Sequence, residues 1–424
     1  MHDLKSLRDQ IDALRDGMRR REKLEQLGPL NDRAEALDRE RRLNIQAVEE
    51  RKAARNATTQ EVARRKKAKE NADELVAQSR AMGEEITRLE AELAAAESEL
   101  EKIMYELPNI TLPEVPSGGE ECNVIVREWG TPRTEQGLRP HWELAEALGI
   151  LDLARGAKIS GSGFVVYRGA GARLVRSLMN LFLDTHTREH GYEEVWVPVV
   201  VNRATMTGTA QLPKFEDDMY ALKDEDMFLI PTAEVPVTNL YRDEMLDGSQ
   251  LPRGFCAYSP CFRREAGSAG KDTRGILRVH EFDKVELVRY STPEASHEQH
   301  ELMTKHATTL LERLGLPYRV KLLAAGDTGF ASAKTYDLET YAPGVGAWLE
   351  VSSSSTFTDF QARRANIRYR PAAGEKPKFV HTLNASGLAF PRIIACVIEH
   401  YQQPDGTIAV PEVLQPYLGT DSIR

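Results

Sequence analysis

The residues with most chemical content lie between Cys261 and Glu286. Phe262-Arg263-Arg264-Glu265 is followed by a small-residue loop to Gly275, then by Arg278-Val279-His280-Glu281-Phe282-Asp283-Lys284-Val285-Glu286. Two strands joined by a loop fit this pattern. Alternate residues of a strand share a face, so Arg263 and Glu265 would offer a cation for a phosphate and an acceptor for an exocyclic amine on one side. Phe282 on the returning strand is placed to stack on a base. An Arg-x-Glu on a strand is also the ordinary form of a cross-strand ion pair, and the pattern alone leaves both readings open. Glycine-rich nucleotide loops are missing. Gly267-Ser268-Ala269-Gly270-Lys271 is followed by Asp272 where a P-loop needs Ser or Thr, and Gly161-Ser162-Gly163 and Gly169-Ala170-Gly171 lack the dinucleotide spacing. A nucleotide would therefore be held by side chains on a sheet.

The elements that must position these residues belong to a chain of 424 residues, more than one hydrophobic core usually supports. With 41% hydrophobic and 29% charged residues it has enough apolar material to fold. Its longest apolar stretch, Val195 to Val201, is interrupted by Pro198. No segment reaches the roughly twenty apolar residues of a spanning helix, and Met1-His2-Asp3-Leu4-Lys5 opens no signal peptide, so a cytoplasmic protein without membrane partners is expected. A net charge of -9 argues against indiscriminate nucleic-acid coating but leaves room for a local basic patch. Cys122, Cys256, Cys261 and Cys396 show neither zinc nor disulfide spacing and read as reduced thiols. His297, His300 and His306 read as a solvated helix face.

Between Pro29 and Pro108 there is no proline, and the composition is that of long helices. Met82, Ile86, Leu89, Leu93, Ala96, Leu100, Ile103 and Leu107 alternate by four and three, the seam of a coiled coil. Ala34, Leu37, Val48 and Val62 keep a similar phase, with Arg41, Asn44, Arg51, Arg55 and Thr58 interrupting it. A helix from about 30 to the middle sixties that returns to about 107 predicts an antiparallel hairpin. Near its far end stand Arg51, Lys52, Arg55, Arg64, Arg65, Lys66, Lys67 and Lys69, with Glu61 the one acid among them. Most charge runs are solvated helix faces, yet a projecting tip of one sign is also shaped to meet phosphates. Pro108, Pro113 and Pro116 then mark a linker. Beyond it, short runs such as Phe164 to Tyr167, Val195 to Val197 and Lys284 to Val288 alternate with amphipathic helices over 171–189 and 294–313, which predicts an α+β domain on a largely antiparallel sheet.

Taken in order, these segments resemble the class II aminoacyl-tRNA synthetases, and the seryl enzymes in particular. Phe262 to Glu265 with its loop is similar to motif 2. Pro231-Thr232-Ala233-Glu234 resembles the substrate motif of the seryl enzymes, and Glu350-Val351-Ser352-Ser353 with Asp359-Phe360-Gln361-Ala362-Arg363-Arg364 resembles their next block. Asn384 to Arg392 is similar to motif 3. The helix from Gly171 and the strand leading to Pro198 resemble motif 1, with Gln211-Leu212-Pro213-Lys214-Phe215 behind it. The resemblance covers nearly the whole chain.

It implies a coiled-coil arm within residues 1–108, a linker over 109–121, and a catalytic domain over 122–424 with six or seven antiparallel strands and flanking helices. It further implies a homodimer through motif 1, and activation of L-serine by ATP to seryl-adenylate followed by transfer to tRNA(Ser), with tRNA(Sec) as a further acceptor. Carried over, Arg263 meets the α-phosphate and Arg392 the γ-phosphate; Arg264, Val279, Val351 and Ser352 complete an ATP site in which Glu265 accepts from the adenine amine and Phe282 stacks. Glu350 and Ser353 would hold Mg2+, an oxygen-only set suited to a hard ion. Thr232, Ala233 and Glu234 would receive the serine ammonium, with Glu286 and Ser386 about its hydroxyl. Arg51, Lys52, Arg55, Arg64 and Arg65 would grip tRNA. The chain departs from the family at Ala385 and Pro391, where glycine is usual, and at Thr356, where asparagine is usual. These departures motivate a second reading, a divergent duplicate serving secondary metabolism or inhibitor resistance. A third is a catalytically silent RNA-binding protein, against which the retained Arg263, Glu265, Glu286, Glu350 and Arg392 argue.

Overall fold

The structure, a computed structural model, describes residues 1–265 and 274–424. It divides into two compact units, His2–Pro108 and Asn109–Arg424, the latter together with Met1.

In the first unit two short helices, α1 (Leu4–Asp9) and α2 (Ile11–Arg20), precede two long ones, α3 (Leu24–Lys67) and α4 (Asp73–Glu106). The last two pack along each other as a hairpin. The seam read from the sequence is the buried one: Ile86, Ala96, Leu100, Ile103 and Leu107 are buried and Met82, Leu89 and Leu93 half-buried. On α3, Ala34, Leu37 and Val48 are buried, whereas Arg51 and Arg55 are exposed where the seam is polar. α3 starts earlier than expected and contains Pro29. The cost is small, because the carbonyl that loses its donor belongs to exposed Glu25 in the first turn, where water can replace it. The turn between the helices is closed by Asn71, whose Oδ1 accepts from the Asp73 backbone at 2.8 Å. Arg64, Arg65, Lys66 and Lys67 fill the last turn of α3, and Asp73 and Glu74 the first turn of α4, signs that suit both helix dipoles.

The second unit is built on an eight-stranded sheet among the described residues. Its strands are β1 (Val124–Trp129), β2 (Glu193–Glu194), β3 (Arg253–Phe262), β4 (Glu281–Ser291), β5 (Tyr318–Leu322), β6 (Lys334–Ala342), β7 (Ala347–Thr356) and β8 (His381–Ala389). Their spatial order is β1-β5-β6-β7-β8-β4-β3-β2. All neighbours are antiparallel except the two-residue edge strand β2, which runs parallel to β3. α5 (Ala170–Arg188), α6 (Ser296–Arg313) and α7 (Phe390–Tyr401) pack on the sheet and close the main core.

Val195 to Val197, expected as a strand, lie just past β2. Val195 still donates to the Cys256 carbonyl at 2.9 Å, but pairing stops before Pro198, which has no N–H, and Trp196 is 77% exposed. Residues 109–121, expected as a linker, are held to the sheet unit: the Asn109 backbone donates to Phe330 and that of Leu112 to Ala333. Of the three histidines read as solvated, only His297 is. His300 and His306 are buried on α6, where His300 Nε2 lies 2.9 Å from the Ser354 carbonyl and His306 Nδ1 lies 3.1 Å from the Tyr192 hydroxyl. The cysteines carry free thiols. No described helix is long and apolar enough to cross a membrane.

Candidate active site

A cleft of about 630 Å³ opens over the centre of the sheet. Its walls come from segments distant in sequence: Thr232 and Glu234, Arg263 and Glu265, Val279 and Phe282, Glu350 to Ser353, and Ser386 with Arg392. The long hairpin β3–β4 sets the first pair of walls, with Cys261 opposite Phe282 and Ala257 opposite Glu286. β3 itself ends at Phe262, so Arg263 and Glu265 do not share a strand face as expected. Arg263 keeps one ladder hydrogen bond past the end of the strand, Glu265 follows with φ 51°, and both reach the cleft from there. The small-residue loop from Ala266 to Thr273, including the Gly267 to Lys271 run, lies outside the described residues.

Arg263 is fixed at both ends. Its backbone donates to the His280 carbonyl at 2.9 Å, and its guanidinium lies 5.0 Å from the centroid of the Phe282 ring. Glu265 pairs with Arg278, to which the sequence alone assigns no role. Arg264 turns the other way, donating through its backbone to Asp218 and its side chain to the Asp217 carbonyl, and does not line the cleft.

Two β-bulges aim the remaining walls. Opposite the Leu338 to Glu339 step of β6, Ser352 pairs with Leu338 and Glu350 with Glu339, which leaves Val351 as an extra residue. The alternation of faces is broken there, and four successive residues, Glu350 to Ser353, line one cleft. On β8 the register slips between Ser386 and Ala389, with Leu388 at φ 75°. Gly387 in this bulge is required: a Cβ there would come within 2.9 Å of His186 Nε2. Arg392, in the first turn of α7, donates to the carbonyls of Leu277 at 3.1 Å and Glu350 at 2.6 Å, with the Glu350 carboxylate 3.6 Å away.

The three departures are accommodated. Ala385 turns its methyl into the core. Pro391 is the second residue of α7, where a missing N–H costs nothing. Thr356 is buried with its hydroxyl 3.4 Å from that of Ser296.

The deep end of the cleft is a network of buried polar groups. Glu286 is fully buried beneath the wall; it accepts from Thr232 Oγ1 at 3.0 Å and Asn384 Nδ2 at 2.9 Å, and pairs with Lys284. Glu234 accepts from Gln361 Nε2 at 2.7 Å and Asn384 Nδ2 at 3.1 Å. Burial, and then the neighbouring Glu286 charge, push the Glu234 carboxyl up to about 7. Ala233 contributes no side chain to the cleft, its methyl lying in the core. Lys284, Asn384 and Gln361 carry no role in the sequence reading. Strand alternation holds the signal for two of them, since Lys284 lies between Phe282 and Glu286 at the same parity, and Asn384 stands two residues before Ser386. Gln361 reaches the site from the short helix Phe360–Arg364 and has no such periodic mark.

On the hairpin, four of the five cations expected to meet tRNA are already paired along the helices. Arg51 lies 3.0 Å from Glu85 and Lys52 2.7 Å from Glu90, while Arg64 and Arg65 share Glu61. Arg55 packs over Gly83. Such exposed pairs add little net stability and exchange readily for other anions.

Residues 1–111 match the family described as the seryl-tRNA synthetase N-terminal domain, and residues 214–401 the tRNA synthetase class II core domain (G, H, P, S and T). A serine–tRNA ligase of Gemmatimonas aurantiaca is 67% identical over 420 residues, covering 99% of this chain and 99% of its own length. Among solved structures, the seryl-tRNA synthetase of Pyrococcus horikoshii, complexed with ATP, superposes with a TM-score of 0.94 at 39% identity, covering 100% of this chain and 99% of that one. The cytoplasmic serine–tRNA ligase of Naegleria fowleri, in complex with AMP, gives 0.88 at 30% identity with the same coverage.

Proposed function

We propose a division of labour within the cleft from one premise: the chain belongs to the seryl-tRNA synthetase family and ligates serine to tRNA. The observation that carries the division is the pairing of two buried carboxylates, Glu234 on the cleft wall and Glu286 just beneath it, with an outer wall bearing Arg263, Arg392 and Phe282. A zwitterion with a small hydroxyl suits the first, and a nucleoside triphosphate suits the second.

In the outer cleft, Phe282 stacks on adenine and Glu265 accepts from its amine. Arg263 meets the α-phosphate as the serine carboxylate attacks it and negative charge gathers on the phosphoryl oxygens. Arg392 takes the γ-phosphate, exchanging its present contact with Glu350 for a phosphate oxygen. Glu350 and Ser353 fit Mg2+, since a single carboxylate and a hydroxyl leave room for the waters and phosphate oxygens that this ion keeps. When bound it would neutralise charge on the triphosphate. Val279, Val351 and Ser352 shape the wall, and Ser352 donates to the Ser386 carbonyl at 2.6 Å, which fixes the motif 3 bulge. Arg264 serves the nucleotide at most through its backbone.

In the inner pocket, Thr232 and Glu234 receive the ammonium, with the Ala233 backbone between them, and Glu286 and Ser386 frame the hydroxyl. Alanine is rejected because it would leave these groups buried without partners. Glu286→Ala should raise the serine KM and erode discrimination against alanine by about ten- to a hundredfold, the worth of a charge-assisted hydrogen bond of roughly 1.5–3 kcal/mol. Unchanged alanine rejection in the exchange assay would remove Glu286 from the pocket.

The raised Glu234 sets a pH dependence. Serine needs the carboxylate form, so kcat/KM for serine should rise with pH through about 7 and then level, and Glu234→Gln should flatten that limb. The same shift makes the group's contribution to folding stability decline from the ordinary carboxylate range up to about 7, because the unfolded chain ionises first.

On the hairpin, Arg51, Lys52, Arg64 and Arg65 exchange carboxylates for the phosphates of tRNA(Ser), and of tRNA(Sec) where a cell makes it, and Arg55 joins them. The chain works as a homodimer in the cytoplasm; the short edge strand β2 and exposed Trp196 in the motif 1 region support a partner there.

A further inference from the structure

We propose that Lys284 holds the seat of the substrate ammonium and surrenders it when serine binds, turning to the serine carboxylate. This rests on the inner-pocket reading above. Lys284 pairs with Glu286 Oε2 and donates to Thr232 Oγ1 at 2.9 Å, and Thr232 itself donates to Glu286. Thr232 is where the inner-pocket reading seats the α-ammonium, and that group presents the same three donors as Lys284. Two ammonium groups cannot share the Thr232 hydroxyl without strong repulsion, so one must leave. Lys284 is the mobile one. It hangs on a four-carbon stem from β4, lines the cleft, and has open space on the cleft side only, its side chain being 6% exposed. Glu234 and Glu286, by contrast, are tied down by Asn384 and Gln361.

The exchange conserves charge. Serine brings one cation and one anion; the cation replaces Lys284 at Thr232, and the freed Lys284 meets the anion beside Arg263. Lys284 is thus a specificity device: a ligand with an ammonium but no carboxylate must evict it without offering a new partner. Amines that lack a carboxylate are refused on that account, before any chemistry.

Two serine fragments separate this role from that of a fixed counter-ion. Ethanolamine carries the ammonium and hydroxyl, and 3-hydroxypropionate carries the carboxylate and hydroxyl. In ligand-observed NMR titrations of the full chain, Lys284→Met should bind ethanolamine about ten- to a hundredfold tighter and 3-hydroxypropionate weaker by a similar factor. Lys284→Arg, which keeps the cation, should leave ethanolamine weak. In the unmodified protein, saturating formate should strengthen ethanolamine binding several-fold, because it gives Lys284 a carboxylate to turn to. Parallel weakening of both fragments in Lys284→Met, or no effect of formate, overturns the proposal and leaves Lys284 a static ion-pair partner. An unmodified protein that binds no serine overturns the pocket reading itself.

Discussion

Replacing Arg263 by alanine should lower serine-dependent ATP–pyrophosphate exchange by about 10²–10³-fold, the usual cost of removing one preorganised donor from a developing oxyanion. The expectation follows from how little freedom the side chain has. Its backbone extends the β3–β4 ladder through the His280 carbonyl, and its guanidinium is held between the Pro231 carbonyl, 3.4 Å from Nε, and the Phe282 ring. A cation held in place before the reaction needs no reorganisation as charge gathers on the α-phosphate. Binding of ATP should change less than turnover, since the interaction strengthens mainly in the transition state. Arg264→Ala serves as the neighbouring control. That side chain turns to the Asp217 carbonyl and should leave exchange within a few-fold of normal. Equal losses in both variants, or exchange undiminished in Arg263→Ala, would remove Arg263 from the chemistry.

The second large effect belongs to the hairpin. Removing residues 46–91 and closing the helices with a short glycine-rich turn should leave exchange near normal while charging of tRNA collapses. The cut spares the part of α3 on which α1 and α2 pack, including the ion pair of Arg8 with Asp38 at 2.8 Å, and also the Arg33–Glu99 pair at 2.8 Å lower in the hairpin. A milder variant replaces Arg51, Arg55, Arg64 and Arg65 by alanine. Every cation withdrawn from a tRNA phosphate should flatten the dependence of log K on log salt by about 0.7–0.9, so four together amount to roughly 3 in slope. The variant also frees Glu85 and Glu61 from their partners, which adds repulsion toward tRNA. Full charging by the shortened protein would make the hairpin a solvated coiled coil with another purpose.

Much of this architecture is legible in the residues. The four-and-three spacing from Met82 to Leu107 marks the buried seam of α4, because a coiled coil writes its packing into one period. The β3–β4 hairpin and the helices over Ala170–Arg188 and Ser296–Arg313 are marked by alternation and amphipathicity in the same way. What escapes is set by neighbours remote in sequence. His300 and His306 are polar, and only the arrival of β7 and Tyr192 makes their burial tolerable. The bulge that brings Glu350, Val351, Ser352 and Ser353 to one wall follows from the register with β6, which no local pattern encodes. Gln361 belongs to the pocket through Glu234, 127 residues away. Lys284 shares the parity of Phe282 and Glu286, so alternation places it at the site; its buried pair with Glu286 is what no local pattern shows.

Serine-dependent exchange of labelled pyrophosphate into ATP, run with magnesium and without tRNA, tests the central claim most directly. Robust exchange with serine and little with alanine is the expected result, because the buried carboxylates activate one amino acid before any RNA is engaged. Exchange that requires tRNA, or that alanine supports as well as serine, would contradict it.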